Sequence, residues 1–253
     1  MDSQMKEIDL FLGIGLDDIH MLGICGMGGI GKTTLAKFVL DKISYQFDGS
    51  CFLANVREVS LTQGLVALRQ QLISKLLIER NINIWDVDGG CNEIGRRLQC
   101  KRVVVILDDA DQLEQLQALA GMHDWFRLGS RIIITTRDQH VLVRHGVDNV
   151  HMVDGLSHEE ALQLFCWKAF RKGHPTDGYL ELSVQMVSHA VGLPLALEVL
   201  GSFLFGRSEA EWKDALDRLK KVPDRRIFEI LKNKLRWAAG TSEENISGCC
   251  LFL

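Results

Sequence analysis

Apolar residues along this chain fall into two kinds of pattern. Up to about residue 155 they cluster in short runs: Met21 to Cys25, Cys51 to Val56, Val103 to Leu107, Ile132 to Ile134 and a weaker run from Val150 to Val153. A run that is apolar on both faces suits a strand of a parallel sheet with helices on each side. Between the runs the spacing becomes helical. Leu35, Phe38, Val39 and Lys42 predict a helix reaching about Ile43, and Leu65, Leu68, Leu72 and Leu76 recur at 3, 4 and 4, a helix over about 63–79. Residues 3–12 read as a short helix or a frayed remnant, 81–92 as a loop, and Ile94 to Leu98 as part of another short helix. Strands alternating with helices indicate an α/β fold with a doubly wound parallel sheet.

After Gly155 the strands stop and amphipathic helices follow. Ser157 and Glu160 form a capping box ahead of Leu162, Phe165, Cys166, Ala169 and Phe170, which share one helical face. Gly173-His174-Pro175 breaks that helix. Leu180, Val184, Val187 and Val191 mark the next, stopped by Gly192. Pro194 suits the first turn of a third, through Leu197, Leu200 and Leu204. Ser208 and Glu211 form another capping box before Trp212, Ala215, Leu216 and Leu219, and Ile227, Ile230 and Leu231 suggest a fifth helix. The expected organisation is a nucleotide-binding α/β domain over 1–152, a small all-α bundle over 153–237 and an irregular tail over 238–253. No internal repeat interrupts it.

Composition narrows the class. The chain has 253 residues, 47% of them hydrophobic and 25% charged, which describes a globular protein with a sizeable core. A formal net charge of −4, from 29 basic and 33 acidic residues, advertises neither nucleic acid nor an anionic membrane as partner. The 7 cysteines form no C-x-x-C pair, and the 8 histidines make no metal-binding spacing. Several cysteines sit inside apolar runs, so a reducing, cytoplasmic setting is expected. The start has no signal-peptide pattern, and no apolar run approaches a membrane span.

Candidate chemistry centres on Gly26 to Thr34, GMGGIGKTT, which fits the P-loop pattern G-x-x-x-x-G-K-[ST]. Gly26, Gly28, Gly29 and Gly31, with Ile30 between them, let the backbone turn tightly and bring N–H groups up to a phosphate. Lys32 offers a point charge to the outer phosphates, Thr33 a hydroxyl for Mg²⁺, and Thr34 continues the helix start. Strand, glycine loop and helix N-terminus come in the order an anion site needs.

A P-loop needs an apolar strand ending in Asp. Val103 to Leu107 followed by Asp108-Asp109 supplies it, with Asp108 the Mg²⁺ candidate and Asp109 placed to polarise an attacking water. Two Asp after a strand can also simply open a loop; the P-loop about 75 residues earlier argues for the functional reading. Arg137 closes the next strand after Thr135-Thr136. There an Arg can reach a γ-phosphate, or be no more than a surface charge. Gly192 to Leu197, GLPLAL, reads by itself as a helix stop followed by a helix start.

Together GMGGIGKTT, FDGSCFLANVRE (47–58), VVVILDDAD (103–111), GSRIIITTRD (129–138) and GLPLAL (192–197) resemble the NB-ARC domain of plant disease-resistance proteins. Asp111 resembles the branch that carries an N-terminal TIR domain. The resemblance implies a signal-transduction ATPase that rests with ADP and is activated when ATP replaces it. It implies Mg²⁺ as cofactor, Pro194 packed near the base and Arg137 sensing the γ-phosphate. It leaves open whether Arg57 touches the nucleotide.

Departures from the family pattern are equally plain. TIR domain, leucine-rich repeats, winged-helix subdomain and its Met-His-Asp motif are absent, as is the upstream segment that helps grip adenine. The expectation is therefore a truncated nucleotide-binding module with slow hydrolysis at most. Its alternative is an interaction piece or decoy with a vestigial site that pairs with related resistance proteins. An ordinary P-loop ATPase of transport or remodelling fits the ITTRD and GLPLAL blocks less well. Finally, Cys250-Leu251-Phe252-Leu253 has the C-a-a-X form. So short a motif arises readily by chance, and membrane contact is expected only if Cys250 is prenylated.

Overall fold

The computed structural model of the chain describes residues 2–77, 99–121 and 125–220. The expected loop over 81–92, the helix at 94–98, the fifth helix, Trp85, Trp237 and the tail with Cys250 lie outside the described residues. The chain divides into two compact units, Met1–Asp154 and Gly155–Leu253.

The first unit is built on a five-stranded sheet: β1 (His20–Cys25), β2 (Gly49–Leu53), β3 (Val103–Ala110), β4 (Arg131–Thr136) and β5 (Asn149–Met152), in spatial order β2-β3-β4-β1-β5. Every pairing is parallel. The helices are α1 (Asp2–Leu12), α2 (Lys32–Ile43), α3 (Val56–Leu77), α4 (Leu113–Leu119) and α5 (Gln139–His145).

Side chains alternate along β3, and that explains its unbroken apolar run. Val103, Val105 and Leu107 enter one core with Leu68 and Leu72 of α3, Leu116 of α4 and Leu142 of α5. Val104 and Ile106 enter the other, with Ile8 of α1 and Leu35 and Val39 of α2. Each such side chain contributes roughly 1.5–3 kcal/mol when fully buried. The sheet is thus doubly wound, as the runs predict.

Several elements differ from the sequence reading. Residues 2–12 are helical, and Met5, Ile8 and Leu12 are buried. Phe38 points outward at 49% exposure, because Ala36 and Ile43 complete the buried face of α2 instead. β2 begins at Gly49 and stops at Leu53; Asn55 takes a left-handed φ of 52° and α3 starts at Val56. Gly64, at φ 82°, breaks α3 in two, and the Leu65–Leu76 stripe belongs to the second part. α4 and α5 have seven residues each, too few for a readable helical period.

The second unit contains α6 (His158–Phe170), α7 (Leu180–His189), α8 (Pro194–Leu204) and α9 (Glu209–Lys220), with no strand among its described residues. The Ser157 capping box is present in both directions: Glu160 N donates to Ser157 Oγ and Ser157 N to Glu160 Oε2. At Ser208 the box is one-sided, since N and Oγ both donate to Glu211 Oε2, at 2.8 and 2.9 Å. Trp212 is buried beside Phe165, Phe170 and Tyr179, and its Nε1 donates to Leu204 O.

Helix α7 buries Leu182, Ser183, Met186 and Val187, while Leu180 and Val191 are 59% and 73% exposed. Of the expected stripe, Val187 is buried and Val184 half-buried, while Leu180 and Val191 lie outside the core. LELSVQMVSHAV carries apolar residues on two faces, and only packing against α6 and α9 selects between them. Gly192 has φ 68°, and a Cβ there would stand 2.6 Å from Leu156 O. Close backbone approach as well as the left-handed turn therefore requires glycine at this point. Pro194 occupies the first turn of α8, as expected.

Candidate functional site

Four chain segments meet at the carboxyl ends of the strands. β1 ends at Cys25 and the glycine loop follows; Gly29 and Gly31 take φ of 82° and 102°, and Gly31 caps α2. No side chain caps that helix. Among the described residues, the amides of Gly28, Gly29 and Gly31 donate to no protein acceptor. Free loop amides and an uncapped helix N-terminus together make an anion-binding concavity.

Lys32 is 7% exposed, and its Nζ turns back to Gly26 O at 2.7 Å and Met27 O at 3.0 Å. Burial pushes its pKa down, and nearby Arg137 pushes it further. An anion in the loop opposes both effects. Thr33 is half-buried at the start of α2, Thr34 is exposed beside it, and Ile30 packs inward under Gly26.

β3 supplies both aspartates through an irregularity. Leu107 pairs with Ile134 and Ala110 with Thr136, so Asp108 and Asp109 together oppose the single residue Thr135. Two residues facing one make a β-bulge. Asp109 takes a left-handed φ of 56° there. In a regular strand consecutive side chains point to opposite faces; the bulge lets both carboxylates face the loop.

Asp108 is buried, and its Oδ1 accepts from Thr33 Oγ1 and from Thr135 Oγ1, each at 2.8 Å. Asp109 N donates to the same Thr135 Oγ1 at 2.9 Å. Asp109 Oδ1 accepts from Arg137 Nε at 3.2 Å. Arg137 also lies against the loop: a Cβ built on Gly28 would stand 3.3 Å from its Nη1. Gly28, Lys32, Thr33, Asp108, Asp109 and Arg137 are thus gathered in one place. Pro194 belongs to the second unit.

Sequence reasoning missed Thr135 as a functional residue. The sequence shows only a hydroxyl near the end of an apolar run, and its two hydrogen bonds follow from the register of β3 against β4. It likewise gave no partner to Asp111, which is held by Gln115 Nε2 at 2.9 Å and stands 3.4 Å from Arg57 Nε. A separate cleft among Asp17, Asp48, Arg102 and Arg127 lies at the opposite, amino ends of the strands. Its acidic and basic groups balance, which suits a phosphate poorly.

Thr33 and Asp108 place two oxygen donors side by side, the small protein share of ligands that Mg²⁺ takes when phosphates supply others. Among the described residues, no cluster of three or more His, Cys, Asp or Glu is placed to hold a metal. The residues present fit a nucleotide with its Mg²⁺.

A parallel five-stranded sheet with a glycine loop at its carboxyl edge, followed by an all-α bundle, defines a P-loop NTPase fold. Residues 2–174 match the family model of the NB-ARC domain, and the chain belongs to that family. It is 42% identical over 233 residues to the disease resistance protein RPV1 of Vitis rotundifolia, covering 92% of this chain and 17% of that protein. It is 40% identical over 239 residues to the TMV resistance protein N of Nicotiana glutinosa, covering 92% of this chain and 20% of that one. The chain therefore spans about a fifth of the length of these curated relatives. The crystal structure of Cdc6p from Pyrobaculum aerophilum shares the fold, with a TM-score of 0.59 at 14% identity over 79% of this chain and 59% of that one.

Proposed function

We propose that the chain is an ADP- and ATP-binding module of a switch-type ATPase in plant immune signalling. The observation that carries this is the junction of the two phosphate motifs: Thr33 of the loop and Asp108 of β3 share a hydrogen bond beside unpartnered loop amides. In this reading the first unit is the nucleotide-binding domain and the second an ARC-type subdomain. Loop amides and Lys32 hold the phosphates. Thr33 and Asp108 hold Mg²⁺, whose chemistry is to neutralise charge on the phosphate oxygens. Arg137 reads the third phosphate and Asp109 orients a water toward it, with hydrolysis slow at most. The family resemblance assigns Pro194, in the second unit, to the base. Relatives named as resistance proteins support the immune assignment.

Calorimetric titration with ADP and with ATP, in the presence of Mg²⁺, tests the reading. Lys32→Ala is expected to weaken both nucleotides by about 10- to 100-fold, the usual worth of hydrogen bonds to a charged group. Circular dichroism checks that the variant remains folded. Equal affinity in wild type and a folded variant removes the phosphate role. No binding by the wild-type chain favours an interaction piece that pairs with related resistance proteins.

A further inference from the structure

Arg137 and Asp109 are each other's partners at 3.2 Å, yet the proposed function asks both to act on the phosphate end of a nucleotide. We infer that the pair is a latch: a third phosphate takes Arg137 from Asp109, and the same exchange frees the Asp109 carboxylate. The inference rests on the nucleotide reading above and adds an order of events to it.

Three observations carry it. First, Arg137 stands between the two candidates for its charge. Its Nε meets the carboxylate, and its Nη1 stands where a side chain on Gly28 would begin. A Cβ at that point would press the guanidinium back by a few tenths of an ångström. Second, the positive charges are crowded. Arg137 Nη1 lies against the loop at Gly28, and Lys32 Nζ lies against the same loop at Gly26 O and Met27 O. An anion placed between the two cations relieves the crowding and leaves Arg137 less dependent on Asp109. Third, the Asp109 backbone is pinned and its side chain is not. The amide is fixed to Thr135 Oγ1 and the left-handed φ sits in the bulge, whereas the side chain is 29% exposed with room to turn.

The exchange is a replacement of one anion by another around a fixed cation, so its cost is low. An exposed carboxylate–guanidinium pair is worth about 0.2–1 kcal/mol, and a phosphate offers Arg a bidentate partner of higher charge. ADP has no group at this point and leaves the pair closed. Paired with Arg137, the carboxylate has its charge offset and is a weaker acceptor for a water proton; released, it recovers that charge beside the third phosphate.

A double-mutant cycle on the full chain tests the latch, with Kd for ATP and for ADP measured by calorimetry in Mg²⁺. Asp109→Asn removes the carboxylate charge while keeping the residue type best suited to a left-handed φ. It is expected to tighten ATP by about two- to fivefold and ADP much less, the range expected of an exposed pair. In an Arg137→Gln background the same substitution is expected to leave ATP affinity unchanged. A gain that persists without Arg137 reports general charge repulsion and overturns the latch. So does an equal gain for ADP and ATP, or no gain at all. If the wild-type chain binds neither nucleotide, the underlying reading fails and the latch with it.

Discussion

At the scale of single residues, the site depends on Thr135 more than its sequence context suggests. One hydroxyl donates to Asp108 and accepts from the Asp109 amide, so it ties together both halves of the bulge. Thr135→Val keeps the shape and removes both bonds. We expect a loss of about 1–3 kcal/mol in urea unfolding, the cost of leaving buried polar groups unsatisfied. Thr135→Ser should recover most of it. If valine and serine unfold alike, the hydroxyl is not what holds the bulge. Lys32, Thr33, Asp108 and Arg137 were legible in the sequence because their spacing from the glycines and the strand ends follows from the chemistry of phosphates. Thr135 was not, because its role exists only once Asp108 and Asp109 crowd against one residue of the neighbouring strand. Register of that kind has no linear signature.

Among elements, legibility followed length and the number of apolar faces. The runs behind β1, β3 and β4 are buried on both sides and had one reading. Seven-residue α4 and α5 have too few turns to show a period. In α7, packing buries Val187 of the expected stripe and exposes Leu180 and Val191. Capping signals fared better, since a cap is local. The Ser208 amide and hydroxyl hold the Glu211 carboxylate below the usual carboxylate range, the amide bond being the larger cause. A depressed folded pKa adds stability above the unfolded value and loses it as pH falls through the folded one. Acidification below the ordinary Glu range should therefore fray the start of α9 first. Glu211→Gln should flatten that part of the pH profile of unfolding, followed through Trp212 fluorescence. An unchanged profile would remove the cap from the pH response.

For the first unit as a whole, the largest single fastening is Arg131 at the start of β4. Its side chain is 1% exposed and donates to the carbonyls of Leu12, Gly13, Leu16, Asp18 and Ser130, with Asp18 Oδ1 at 2.9 Å. Burial pushes its pKa down, and Asp18 pushes it back up. A buried cation so fully satisfied closes the end of α1 and residues 13–18 onto the sheet. Arg131→Met is expected to cost about 3 kcal/mol or more in chemical denaturation, because it leaves the carbonyls of Leu12 and Leu16 without a donor and Asp18 without its cation, while Gly13, Asp18 and Ser130 keep one backbone N–H each. A loss under about 1 kcal/mol would mean that water replaces the guanidinium freely. In the sequence this residue is merely the charge that opens IIITT, whereas Arg137 stands at the strand end where ligands bind.

Strand order also sets a clock. Among the described residues, β3, β4 and β1 have a neighbouring strand on each side, whereas β2 and β5 each have one on a single side. In heavy water, deuterium should enter β5 and β2 by local fraying within minutes to hours. The amides of Ile132 to Ile134 wait for the whole unit to open. Mass spectrometry of peptic fragments resolves the two populations. Similar uptake in β4 and β5 would show that the unit opens as one piece. A separation between them makes β4, which carries Thr135, the slowest part of the sheet to meet solvent.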